Sequence, residues 1–180
     1  EICACLVGSE MCIETDVIRS VSTVFFVIVN SLAATTGSLV SNLLGAGQKR
    51  QVIPLCNCVV RLGYAIGFPL VILAVIFYRP IIGIYTESTA LMQIAHLPFV
   101  VMLLNYIFAL PGYVYMNSVT GTGATRMTFI FQLITIVAYQ IYLWSISSFS
   151  TSLSVYWTAE YLYVILLGLL SVIYLKYKHY

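Results

Sequence analysis

Charged side chains are missing from three long stretches of the chain: between Arg19 and Lys49, from Ser88 to Thr125, and from Met127 to Ala159. Uncharged apolar stretches of this length do not fit the surface helices of a soluble domain. A helix needs about 20 apolar residues to cross the hydrocarbon core of a bilayer. Inside lipid every backbone N–H and C=O must be satisfied within the segment, which makes the spanning element a helix. The pattern predicts an all-α, polytopic membrane helix bundle with five spans, near 18–43, 52–78, 91–117, 127–148 and 153–175.

Turn chemistry separates the spans. Gly45-Ala46-Gly47-Gln48-Lys49-Arg50 ends the first with glycines that permit positive φ and with cations suited to a helix C-terminus. Arg79-Pro80 closes the second, and Thr86-Glu87-Ser88-Thr89 precedes the third. Gly121-Thr122-Gly123-Ala124-Thr125-Arg126 divides the third from the fourth, and Ser145 to Ser154 forms a Ser/Thr-rich loop before the fifth. Gly45, Gly47, Gly121 and Gly123 are accordingly expected to serve as structural turn residues, not as ligand contacts. Gly63-x-x-x-Gly67 and the series Asn30, Ala34, Gly37, Ser41 are packing signals that let helices approach closely.

Composition removes the soluble alternatives. The chain is 61% hydrophobic and 8% charged, where a soluble domain carries roughly 25% charged residues. The net charge of +2 comes from cations scattered in ones and twos, so no run tracks phosphates and no nucleic-acid partner is expected. Alternating the loops across the bilayer gathers Lys49, Arg50, Arg126, Lys176 and Lys178 on one side, which the positive-inside rule makes cytoplasmic, C-terminus included. Arg61 can snorkel back to that face. Trp144, Tyr156, Trp157, Tyr161 and Tyr163 gather at the opposite end, as an aromatic belt would.

Few residues are left to carry chemistry. Cys56 and Cys58 point to nearly opposite faces of a helix and cannot clamp one metal. Cys3, Cys5 and Cys12 lack a second ligand pair, so no metal site is expected. No nucleophile-and-base set, paired carboxylates or phosphate loop is present, so no catalytic residues are expected and the chain does not read as an enzyme. Glu160 is the one acid inside a predicted span and thus the ion-coupling candidate, although it lies toward the outer interface. His96 reads as an interfacial or packed side chain. Pro69, Pro98 and Pro111 kink helices, as tolerated curvature or as points of bending. Tyr106, Tyr113 and Asn117 fall on one face of the third span. Gln132, Thr135, Tyr139 and Tyr142 fall on one face of the fourth. These faces could line an aqueous cavity or bond one helix to its neighbour. Asn30, Tyr106, Tyr113, Asn117, Gln132 and Tyr139 are the candidate cavity residues.

The run from Asn30 to Gly47, a small-residue helix entering a Gly-Ala-Gly turn, resembles the second helix of a lobe in the multidrug and toxic compound extrusion family. Ser118 to Arg126 resembles the Gly-x-Gly-x-Thr-Arg turn after the fourth helix of such a lobe. The resemblance covers about residues 17–178. It implies twelve helices in two lobes around a central cavity, with this chain supplying the last five, and a missing N-terminal lobe as its partner. It further implies a secondary antiporter that exports cationic or amphipathic organic compounds, drugs or metabolites, in exchange for sodium ions or protons. No cofactor beyond the coupling ion is implied. The implied location is the plasma membrane, in a bacterium the inner membrane, with multiple passes. Residues 1–16 read as an atypical segment, a truncated or foreign start ahead of a 17–180 lobe; there is no initiator Met and no visible signal peptide.

One departure from the family pattern matters. Some sodium-coupled members carry a carboxylate in the helix equivalent to 91–117, and this chain has none there. The main coupling carboxylate is therefore expected in the missing lobe. Two other readings compete. A lipid-linked saccharide flippase of the same superfamily would need a strongly cationic cavity. A non-transporting membrane subunit would have no solvated cavity.

Overall fold

The computed structural model describes residues 2–83, 89–147 and 153–178. The side chains of residues 2–18, with Cys3, Cys5 and Cys12, and of 89–96, with His96, lie outside the described ones, as do those of Val21, Ile82, Pro98, Leu153, Ser154 and Trp157. The elements in chain order are α1 (Ile2–Gly45), a 3-10 turn (Lys49–Gln51), α2 (Val52–Ile76), α3 (Tyr78–Gly83), α4 (Thr89–Gly121), α5 (Thr125–Ser147) and α6 (Leu153–Tyr177). No strand occurs among the described residues, and five helical segments are long and apolar enough to cross a membrane. The chain is a multi-pass membrane protein.

Boundaries differ from the sequence expectation at two places. α1 begins at Ile2, so the backbone of the opening segment continues the first span's helix, while its part apolar enough to cross a membrane is Ser22–Gly45, near the expected 18–43. The second span stops at Ile76. Phe77 adopts φ −93° and ψ 23°, outside the helical region, and the chain restarts as α3 with Pro80 in its first turn, where a missing N–H costs nothing.

α4 is the central element and packs against α1, α2, α5 and α6. Half of its spanning window is buried, against 11–28% for the other spans. The outer helices instead expose Val24, Leu62, Ile66, Phe129, Ile141 and Ile173, an apolar exterior suited to lipid. Polar residues enter this apolar setting by returning their hydroxyls to their own helix. Ser31, Thr35, Thr36 and Ser41 donate to the carbonyl four residues earlier.

Close helix crossings occur where side chains are small. A Cβ on Gly121 would stand 2.3 Å from the Gly37 carbonyl oxygen, and one on Gly37 would stand 3.1 Å from the Asn117 oxygen. The single Ser41 hydroxyl proton is shared between the Gly37 carbonyl at 3.1 Å and the nearer Gly121 carbonyl at 2.8 Å, which ties the end of α1 to the end of α4. Further along α4, Gly112 and Gly168 make the α4–α6 crossing, with only 3.1 Å from a Cβ on Gly168 to the Gly112 Cα. Gly63 and Gly67 on α2 leave room for Leu110 and the Tyr106 ring.

The glycine turns sort differently from the sequence expectation. Positive φ falls on Gly47 (76°) and Gly123 (82°). Gly47 closes α1 in a Schellman arrangement, with Gln48 N–H bonded to the Leu43 carbonyl at 2.9 Å and Gly47 N–H to Leu44 at 3.0 Å. Gly45 and Gly121 are corrected. Both are helical; Gly45 faces open space, and Gly121 is a packing contact at the crossing with α1.

Candidate functional site

α1, α4 and α6 part at the end remote from the Gly37–Gly121 crossing. Arg19 lies about 27 Å along α1 from Gly37, and Met102 about 28 Å along α4 from Gly121, at 1.5 Å per residue. The space between them is a cavity of about 310 Å³, lined among others by Arg19, Ser22, Thr23, Phe26, Asn30 and Glu160. Such a volume holds several waters or a small organic solute.

The cavity's charges come from two helices. Glu160 on α6 is half-buried and lies within electrostatic reach of Arg19 on α1. No ion pair joins the two. Three tyrosines lie in the electrostatic field of the Glu160 carboxylate: Tyr113 from α4, Tyr139 from α5 and Tyr163 from α6. Their rings are locked edge-on: Tyr113 against Phe26 at 5.5 Å, and Tyr139 against Tyr163 at 6.3 Å. The Ser22 and Thr23 hydroxyls both donate to the Arg19 carbonyl, at 2.9 and 2.8 Å, so toward the cavity they offer only acceptor lone pairs.

A second, water-sized chamber of about 20 Å³ shares Ser22, Phe26 and Met102 with the first. Asn105 lines it from α4. Its side chain is 2% exposed, and its Oδ1 has no hydrogen-bond partner.

Of the six candidate cavity residues, Asn30 lines the cavity beside the ion-coupling candidate Glu160, Tyr113 and Tyr139 lie in the field of that carboxylate, and the other three stand apart. Tyr106 is buried against α2, donating its hydroxyl to the Gly63 carbonyl at 2.8 Å. Asn117 donates Nδ2 to the Tyr113 carbonyl of its own helix at 3.0 Å and presses its backbone on Gly37. Gln132 Nε2 points to the Met116 sulfur on α4, at 3.8 Å. Tyr106, Tyr113 and Asn117 therefore do not form one cavity face, because every side of the central helix meets a different neighbour. On the polar face of α5, Tyr142 meets Thr158 of α6 at 3.0 Å, while Thr135 donates within its own helix, to the carbonyls of Phe131 and Gln132.

The aromatic cluster at this end divides. Trp144 is 78% exposed, as a belt residue would be. Tyr161 and Tyr163 turn inward. Tyr161 donates to the Val101 carbonyl of α4, and Tyr163 joins the Glu160 cluster. Sequence reasoning did not place Arg19 or Tyr163 in the site. The spacing of Tyr163 from Glu160, three residues on one helix, was the available signal. Cys56 is buried, its sulfur 2.9 Å from Ser118 Oγ, while Cys58 is exposed on the other side of α2. No group of three metal-ligating side chains occurs among the described residues.

A family model, MatE, matches residues 16–144. No curated protein matches the chain, and no solved structure does.

Proposed function

Since the chain belongs to the MatE family of membrane transporters, we propose that it forms part of a secondary antiporter. The antiporter exports organic cations, drugs or amphipathic metabolites in exchange for sodium ions or protons. The chain acts as one lobe, beside a second lobe of the same protein, in a plasma membrane with the C-terminus in the cytoplasm. The observation that carries this reading is the open cavity of about 310 Å³, which sets Arg19 and Glu160 among apolar and neutral polar side chains of a membrane helix bundle. An inert anchor has no use for a half-buried, unpaired carboxylate, because such a group is costly in a membrane. A flippase cavity built to hold pyrophosphate needs several cations, and this one offers Arg19 alone against Glu160.

The walls suit ligands with an apolar body. Phe26, Val27 and Met102 supply apolar surface, and the Asn30 carboxamide supplies both a donor and an acceptor. Arg19 stands as a fixed counter-charge to Glu160, so the principal coupling carboxylate is assigned to the other lobe. The test is transport by the complete protein in proteoliposomes. A lipophilic organic cation is expected to accumulate when a sodium or proton gradient is imposed and to leak back when an ionophore collapses it. The Glu160→Gln variant is expected to remain ion-driven. Absence of gradient-driven movement would remove the antiport reading. Loss of coupling in Glu160→Gln, with folding intact, would move the ion site into this lobe.

A further inference from the structure

We propose that Arg19 sets the charge selectivity of the cavity. Together with Glu160 it makes a site for small dipolar molecules that carry an anionic and a cationic group on an apolar body. The proposal deepens the transporter reading and rests on it for physiological meaning. The geometry rests on four observations. Arg19 and Glu160 line the same cavity from different helices. They lie within each other's field yet make no direct ion pair, so each keeps a charge facing the space between them. The volume of about 310 Å³ is too large for a lone ion and large enough for an amino-acid-sized solute. The remaining polar walls are neutral, and Phe26 and Met102 supply apolar surface.

Charge balance decides the ligand class. A simple cation entering this cavity gains Glu160 and is opposed by Arg19. A simple anion meets the reverse. A dipolar solute sets a carboxylate on the exposed guanidinium and an ammonium on the half-buried carboxylate, and the two gains add. Arginine suits the first contact because its planar fork matches a carboxylate in two bonds. Removing Arg19 leaves Glu160 alone and turns the same cavity toward cations.

Three probes of nearly equal shape separate these cases: phenylalanine, phenylalaninamide and N-acetylphenylalanine, the first dipolar, the second cationic, the third anionic. Equilibrium binding to the complete protein in nanodiscs is the measurement. The unaltered protein is expected to bind phenylalanine more tightly than either relative. Arg19→Gln is expected to reverse the order in favour of phenylalaninamide, with a change in the affinity ratio of at least about tenfold. Arg19→Lys keeps the charge and should keep the order. Glu160→Gln should weaken phenylalanine about tenfold while sparing N-acetylphenylalanine. The assignment fails if the unaltered protein prefers phenylalaninamide, binds none of the three, or shows the same ratio after Arg19→Gln. Because binding is read at equilibrium, the expected pattern in a protein that moves no solute would leave the site standing and remove only the antiport reading.

Discussion

Tyr64 on α2 donates its hydroxyl proton, at 2.5 Å, to the carbonyl of Ile107 on α4. That carbonyl would ordinarily accept the N–H of residue 111, which is Pro111 and has none. The neighbouring helix thus supplies the donor that the proline removes, as lipid-embedded backbone requires. Tyr106 makes the reciprocal bond from α4 to the Gly63 carbonyl of α2, so two adjacent residue pairs stitch the helices together.

Tyr64→Phe should lower stability by about 1–2 kcal/mol, since it orphans a carbonyl where water is scarce. Pro111→Ala restores an N–H within α4. In that background Tyr64→Phe should cost markedly less, and the coupling can be read from a double-mutant cycle of melting in detergent. Equal costs in both backgrounds would show that the tyrosine does not serve the proline.

The glycines should separate by position. Gly121→Ala drives a methyl group into the Gly37 carbonyl, where the space is 2.3 Å, and should destabilise by about 1–3 kcal/mol. Gly47→Ala and Gly123→Ala keep ample space but occupy positive φ, at a cost of about 1–2 kcal/mol each. Gly45→Ala meets nothing within 4 Å and should be neutral or stabilising by up to about 1 kcal/mol. Thermal melting of the four purified variants ranks them. A Gly45 variant as unstable as that at Gly121 would contradict the packing account.

Asn105 carries the one buried side-chain polar atom without a partner among the described residues. Replacing it by Leu, of similar size, removes that orphan and should leave melting unchanged or raise it, by up to about 2 kcal/mol of stability. A clear loss of stability would mean that the amide is satisfied by a water in the small chamber.

Topology follows from the cations at one end. In a background lacking the five native cysteines, single cysteines at Gln48 and Thr122 should stay unlabelled by an impermeant reagent in intact cells. Cysteines at Ser88 and Ser150 should label. Labelling at Gln48 without labelling at Ser150 would invert the orientation.

The five spans were legible because apolar length alone announces a membrane helix, and the loops were legible from Gly47, Arg79-Pro80 and Gly123. Helix rotation was not. α4 is apolar on every side, so no stripe tells which neighbour Tyr106 or Tyr113 will meet. Inward and belt tyrosines have the same composition, and only packing distinguishes Tyr163 from an interfacial residue. Of the sequence candidates, Asn30 and Glu160 lie on the cavity lining. Arg19 was missed because its partner lies 141 positions away in the chain, and single-sequence patterns carry no information over such a separation.

The glycine crossing has a mechanical consequence for the cavity. α1 is clamped to α4 at Gly37 and Gly121, and toward Arg19 the contact passes from backbone to side chains, Phe26 against Tyr113 and Phe25 against Tyr106, beside the cavity. That makes α1 a lever with its fulcrum at one membrane face. With an arm of about 27 Å from Gly37 to Arg19, a tilt of about ten degrees carries the guanidinium end some ~5 Å. Displacements too small to disturb the clamp are therefore large enough to set or break the distance between Arg19 and Glu160.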